Sequence, residues 1–139
     1  MKIVLSDKEQ IAKFIMCFRG VLGMNDIVSI QCLHDNFYLQ AMDKAHSGIV
    51  EVKIMNSWFN EYECGHDMCI NINTLIKVMG CWSPGYKITI IDSDERLHID
   101  FTGEKMISKT FEIIKIDIKH DIFEIPETLS DLFDRQTTF

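Results

Sequence analysis

The stretch Asn71-Ile72-Asn73-Thr74-Leu75-Ile76-Lys77-Val78-Met79-Gly80 decides how the chain is read. Asn71 or Asn73 can cap a helix, because a short polar side chain there accepts a hydrogen bond from an N–H that the first turn leaves orphaned. Leu75, Ile76, Val78 and Met79 follow at helical spacing, and Gly80 with Pro84-Gly85 stops the run. Met68 to Ile70 reads as a strand before it. Tyr86 to Ile91, Arg96 to Phe101 and Lys109 to Ile118 read as three strands after it.

The same order stands upstream. Lys2 to Leu5 is a strand, and Ser6 or Asp7 can cap a helix whose stripe is Ile11, Phe14, Ile15, Phe18 and Leu22, ended by Gly20 and Gly23. Asp26 to Cys32, Phe37 to Ala41 and Gly48 to Met55 follow as strands. In the last, Val50, Val52 and Ile54 alternate with Glu51 and Lys53, which predicts one wet face. Asn60 to Cys64 is a further extended piece before the Gly65-His66 turn. Strand–helix–three strands therefore occurs twice, as an internal duplication would, although the halves share no residue-level identity. Two amphipathic helices and about eight strands predict an α+β fold with both helices on one face of an antiparallel sheet. Regularity ends at Ile118. Residues 1–118 read as the folded unit, and 119–139 as a connector-like segment and tail with apolar positions at Leu129, Leu132 and Phe133.

Composition narrows the function. The 139 residues are one domain by length, and 47% hydrophobic with 25% charged residues suits a globular chain. No run is apolar enough to span a membrane and Met1 to Leu5 carries no signal pattern, so an intracellular site is expected. Five cysteines at irregular spacing read as reduced thiols. A net charge of −7 opposes nucleic-acid binding unless the 14 cations are clustered. On the helices, Lys13 points nearly opposite the first stripe with Lys8 and Arg19 on its flanks, and Lys77 points away from Leu75, Ile76 and Met79. Cys64, His66 and Cys69 form one group, whereas zinc sites show paired clusters, so no metal and no cofactor are expected. Asp92, Asp94 and Glu95 lie in a turn and read as solvated. No phosphate loop, nucleophile elbow or HExxH is present, and no enzymatic activity is expected.

Three stretches resemble the proliferating cell nuclear antigen family of sliding clamps. They are Leu39-Gln40-Ala41-Met42-Asp43-Lys44-Ala45-His46, then Tyr62-Glu63-Cys64 through Asn71 to Val78, and Phe111 through Ile125-Pro126-Glu127. The resemblance runs from Met1 to about Glu127. It implies the DNA-clamp fold and a non-catalytic DNA polymerase processivity factor or scaffold in replication and repair. The alternative is a clamp-derived interaction module that does not encircle DNA. Carried over by position, Met42, His46, Phe123, Ile125 and Pro126 would line a client-peptide pocket. Lys8, Lys13, Arg19 and Lys77 would meet DNA phosphates without reading bases. Lys109, Phe111, Ile113, Lys115 and Asp117 would form a subunit-joining edge. Implied partners are double-stranded DNA, DNA polymerase and other clamp-binding proteins, a clamp loader and further copies of the chain, with no membrane. The implied location is the nucleus in a eukaryote, otherwise the cytoplasm or a viral replication site. A family subunit holds two such domains in about twice this length.

Overall fold

The structure, a computed structural model, describes residues 1–45 and 47–117. Its order is β1 (Lys2–Leu5), α1 (Lys8–Arg19), β2 (Ile27–Cys32), β3 (Asn36–Met42), β4 (Ile49–Met55), a 3-10 turn (Asn56–Trp58), β5 (Glu61–Glu63), β6 (Met68–Asn71), α2 (Ile72–Met79), β7 (Lys87–Asp92), β8 (Arg96–Thr102) and β9 (Lys109–Ile114).

Both helices begin at side-chain caps. Of the two candidates for α1, Asp7 is the cap. Its carboxylate accepts from Gln10 N at 3.2 Å, and Gln10 Oε1 accepts from Asp7 N at 3.3 Å, a reciprocal capping box. Asn71 caps α2, its amide oxygen accepting from Asn73 N at 2.9 Å and Thr74 N at 3.2 Å. The predicted first stripe holds through Phe18 and then fails. Leu22 is exposed and Val21 is fully buried, because the helix tightens after Arg19 into turns bonded Val21 N to Phe18 O and Leu22 N to Arg19 O. A 3-10 turn, with three residues per turn, advances about 120° per residue instead of about 100°, which brings Val21 inward in place of Leu22.

The sheet differs from expectation in one respect: there are two, with nine strands in all among the described residues. Every pairing is antiparallel. One sheet runs β4-β3-β2-β6 and the other β5-β1-β7-β8-β9. The two repeats are β1-α1-β2-β3-β4 and β6-α2-β7-β8-β9, with β5 between them. Each repeat lends its first strand to the other: β6 pairs with β2, and β1 with β7. That exchange divides the strands into two sheets and gives them matching orders, β4-β3-β2-β6 and β9-β8-β7-β1.

The last strand is shorter than predicted. After Ile114 the chain leaves the ladder: Lys115 N still donates to Glu95 O, but Ile116 N donates to Cys69 O of β6, each at 2.8 Å. This bond ties the edge of one sheet to the other. The helices touch each other and bury Ile11, Phe14, Ile15 and Phe18 of α1, and Ile72, Leu75, Val78 and Met79 of α2, in a core shared with both sheets. The connector-like segment and tail expected over 119–139 lie outside the described residues.

Candidate nucleic-acid interface and joining edges

With the apolar stripes turned inward, the helices present their polar residues to solvent. Lys8, Lys13 and Arg19 on α1 and Lys77 on α2 are all exposed. Glu9 is the one acidic residue within either helix. Four of the chain's 14 cations but only one of its 21 carboxylates therefore sit on the helices. The positive charge is local, on a chain that is acidic as a whole. Arg19 borders a shallow groove between the helix ends, lined also by Ala12, Ile15, Met16, Met79, Gly80 and Trp82.

The residues assigned to the joining edge fall in four settings. Phe111 and Ile113 turn toward the core: Ile113 is buried and the Phe111 ring lies 5.6 Å from that of Phe101. Lys109 donates to Cys81 O at 3.2 Å and sits 5.2 Å over the Tyr86 ring. Lys115 lies past the strand, inside a charge cluster. Its ammonium and the Met1 amine both hold Asp92, at 3.1 and 2.8 Å, and all three groups are largely shielded from water. Burial pushes the Asp92 carboxyl up, but hydrogen bonds from the Met1 amine and Lys115 outweigh it and hold it below the usual carboxylate range. Asp117 is exposed beyond the strand end.

The outer edge of β9 itself is made by residues that periodicity did not single out. Lys115 N bonds to Glu95 O, just before β8 and in phase with the β8–β9 ladder, so the odd positions of β9 face their own sheet, and Thr110, Glu112 and Ile114 direct their main-chain groups outward. All three are exposed, and Glu112 is held by Arg96 at 2.7 Å. Strand parity was the available signal, but it needs the identity of the neighbouring strand.

Of the client-pocket candidates, Met42 ends β3, half-buried, with its carbonyl accepting from Asn25 Nδ2 at 3.1 Å. His46, Phe123, Ile125 and Pro126 lie outside the described residues. The cysteines are unbridged: burial pushes the Cys17 and Cys32 thiols up, and Cys69 to about 11. No group of three or more His, Cys, Asp or Glu among the described residues is placed to hold a metal ion, and no described helix is long and apolar enough to cross a membrane.

The chain is similar to known clamps in sequence and in shape. The sequence profile described as proliferating cell nuclear antigen, N-terminal domain, matches residues 4–122. A DNA polymerase sliding clamp of Methanothermobacter thermautotrophicus is 30% identical over 112 residues, 79% of this chain and 45% of the relative. A probable DNA polymerase sliding clamp 2 of Paramecium bursaria Chlorella virus 1 is 27% identical over 134 residues, 90% of this chain and 46% of the relative. The crystal structure of PCNA from Thermococcus kodakaraensis superposes with a TM-score of 0.74 at 16% identity, covering 90% of this chain and 50% of that one. The chain thus spans about half the length of the relatives it matches. With a profile match over most of its length and two helices set against two antiparallel sheets, the chain belongs to the proliferating cell nuclear antigen family of sliding clamps, matching its N-terminal domain.

Proposed function

We propose that the chain serves as a sliding-clamp domain: a scaffold that holds DNA polymerase and other clamp-binding proteins on duplex DNA, making and breaking no bond. The observation that carries this is the segregation of charge. Lys8, Lys13, Arg19 and Lys77 place four cations on the exposed helix faces of a chain with net charge −7. Long cations on regular helices contact phosphate without selecting bases, which suits a protein that must slide. The relatives named as DNA polymerase sliding clamps support the same reading. In it, residues 1–118 are the clamp unit and 119–139 a connector-like segment and tail. Met42, His46, Phe123, Ile125 and Pro126 receive client peptides, and β9 with Lys109, Phe111, Ile113, Lys115 and Asp117 around it is the joining edge. A clamp loader would act on the assembled ring, and the working site is intracellular: the nucleus, the cytoplasm or a viral replication site.

Fluorescence anisotropy with random-sequence duplex DNA across a salt series tests this. Binding should weaken with salt, with a log–log slope no steeper than about −4 for four phosphate contacts. Replacing Lys8, Lys13, Arg19 and Lys77 together by Gln should remove the binding. The net charge of −7 favours the second reading, a clamp-derived interaction module that does not encircle DNA. Absence of binding at low salt would establish that reading and overturn the first.

A further inference from the structure

We infer that Cys32 and Cys64 close into a disulfide when the folded chain meets a peroxide, and reopen under a dithiol: a redox-operated clasp between the two sheets. The clasp depends on neither the helix faces nor the joining edge.

Cys32 ends β2 in one sheet, and Cys64 follows directly on β5 of the other. The two are 32 positions apart in sequence, yet both peptide units that flank Cys64 touch Cys32. On one side the carbonyl oxygen of Glu63 accepts from Cys32 Sγ at 3.6 Å. On the other, Gly65 N donates to Cys32 O at 3.0 Å. Contacts of this kind bring the two α-carbons within the roughly 7 Å that a disulfide spans without backbone movement, so the remaining adjustment is rotation of two side chains. Neighbouring groups fix the backbone on both sides. The Tyr62 hydroxyl lies 2.5 Å from Leu33 O and 2.7 Å from Asn36 O, which ties the approach to Cys64 to the turn after β2. Gly65 runs so close to Met1 that a β-carbon there would sit 2.5 Å from Met1 Cβ. The other cysteines have different surroundings. Cys69 stands across from Ser29, Cys81 Sγ meets Lys77 O at 3.6 Å, and Cys17 borders a groove with Met55 and Trp58.

The two thiols differ in access: Cys64 is exposed, and Cys32 is 1% accessible. The exposed thiol therefore meets the oxidant first. The Cys64 thiolate attacks one oxygen of hydrogen peroxide and the O–O bond breaks. The sulfur is oxidised to a sulfenic acid, and the departing hydroxide takes up the thiol proton as water. The Cys32 thiolate then attacks Cys64 Sγ. The S–S bond forms, the S–O bond breaks, and hydroxide leaves with the proton given up by Cys32 as a second water. Burial pushes the Cys32 thiol up; the hydrogen bond with Tyr62 and the nearby Met1 amine oppose that, while Cys64 and Asp92 add to it. A shielded thiol of this kind reacts poorly with peroxide itself, which keeps it free to resolve its neighbour. The disulfide encloses β3, β4, the 3-10 turn and β5. Closing a loop of about 30 residues narrows the unfolded ensemble, so the oxidised chain gains stability.

Treating the folded chain with a small excess of hydrogen peroxide, followed by alkylation, digestion and mass spectrometry, reads the bond. Two of the five thiols should be lost as a Cys32–Cys64 peptide pair within one chain, and dithiothreitol should return both. Cys64→Ser, at an exposed position, should abolish the pair and leave Cys32 free, whereas Cys81→Ser should leave the pair unchanged. Circular dichroism checks that both variants are folded. The oxidised chain should unfold at a urea midpoint roughly 1 M above that of the reduced chain, and the difference should vanish in Cys64→Ser. Recovery of Cys64 as a sulfinic acid, or in a bridge between two chains, with Cys32 still free overturns the inference. So does any other pairing, a chain that peroxide leaves fully reduced, or a midpoint that does not rise on oxidation.

Discussion

The two repeats share an order of elements but not a packing chemistry. The first is aromatic: Phe14 lies 4.8 Å from Phe18, 5.7 Å from Phe37 and 5.8 Å from Phe59, measured between ring centroids, with Trp58 on its margin. The second is mainly aliphatic around Leu75, Ile88, Ile90, Leu97 and Ile99, with Phe101, Phe111 and Tyr86 toward its open edge. Their helices differ too. α1 has 12 residues, a reciprocal capping box and three exposed cations; α2 has eight residues, one capping amide and one cation. The contrast teaches that strand order and the placement of edges survive wholesale replacement of side chains, provided each position keeps its direction. Cores accept such exchange when volume and pattern are kept.

The largest expected effect probes that core. Phe14→Ala should cost about 4 kcal/mol and Leu75→Ala about 3 kcal/mol in urea unfolding, since each deletes a fully buried side chain and the aromatic one leaves the bigger void. Because β1 and β6 are exchanged between repeats, both losses should appear in one cooperative transition, with circular dichroism and tryptophan fluorescence coincident. Two separate midpoints would break the picture of interlocked halves.

Next is the charge cluster, which has no equivalent among the described residues of the first repeat. Asp92→Asn should cost about 3 kcal/mol, because the shielded Met1 amine and Lys115 lose their common partner. The carboxyl of Asp92 is depressed in the folded chain, so its contribution is fully present above the unfolded carboxylate pKa of about 3.9. It is lost as pH falls from there through the folded value, and acid titration of stability should show this in the wild type and not in the variant.

Caps come third. Asp7→Ala should cost about 1 kcal/mol, and Asn71→Ala slightly less, since Asp7 adds a charge favourable to the helix N-terminus and a return bond from Gln10. A larger loss at Asn71 would mean that α2 depends more on its cap than its apolar stripe suggests. The smallest stability change belongs to Lys13→Ala, within about 0.5 kcal/mol, yet it should reduce duplex affinity measurably. That split between stability and binding sharpens the distinction between the helix faces and the core beneath them.

Much of this is legible in the sequence. Capping residues, the stripes of α1 and α2, and the exposed positions of Lys8, Lys13, Arg19 and Lys77 follow from short-range geometry, because 100° per residue and a side-chain oxygen at the N-cap are local facts. Leu22 was misread for a local reason as well: periodicity assumes a constant turn angle, and the chain tightens there. Lys115 could not be read as a member of an ion cluster, because its partner Asp92 and the Met1 amine that shares Asp92 lie 23 and 114 residues away in sequence. Nor could the outward groups of β9, which depend on which side β8 occupies.

What the amino-acid sequence determined by itself is the set of elements, their order repeated twice, and the direction of each helical side chain. Tertiary structure alone decided that β1 and β6 are exchanged between repeats, that the strands form two sheets, and that β4 and β9 are the outermost strands among the described residues. Local propensity and periodicity act over a few residues. Strand partnership is chosen by contacts between residues up to about ninety positions apart, such as Lys2 with Ile91, and those carry no signature in either strand alone.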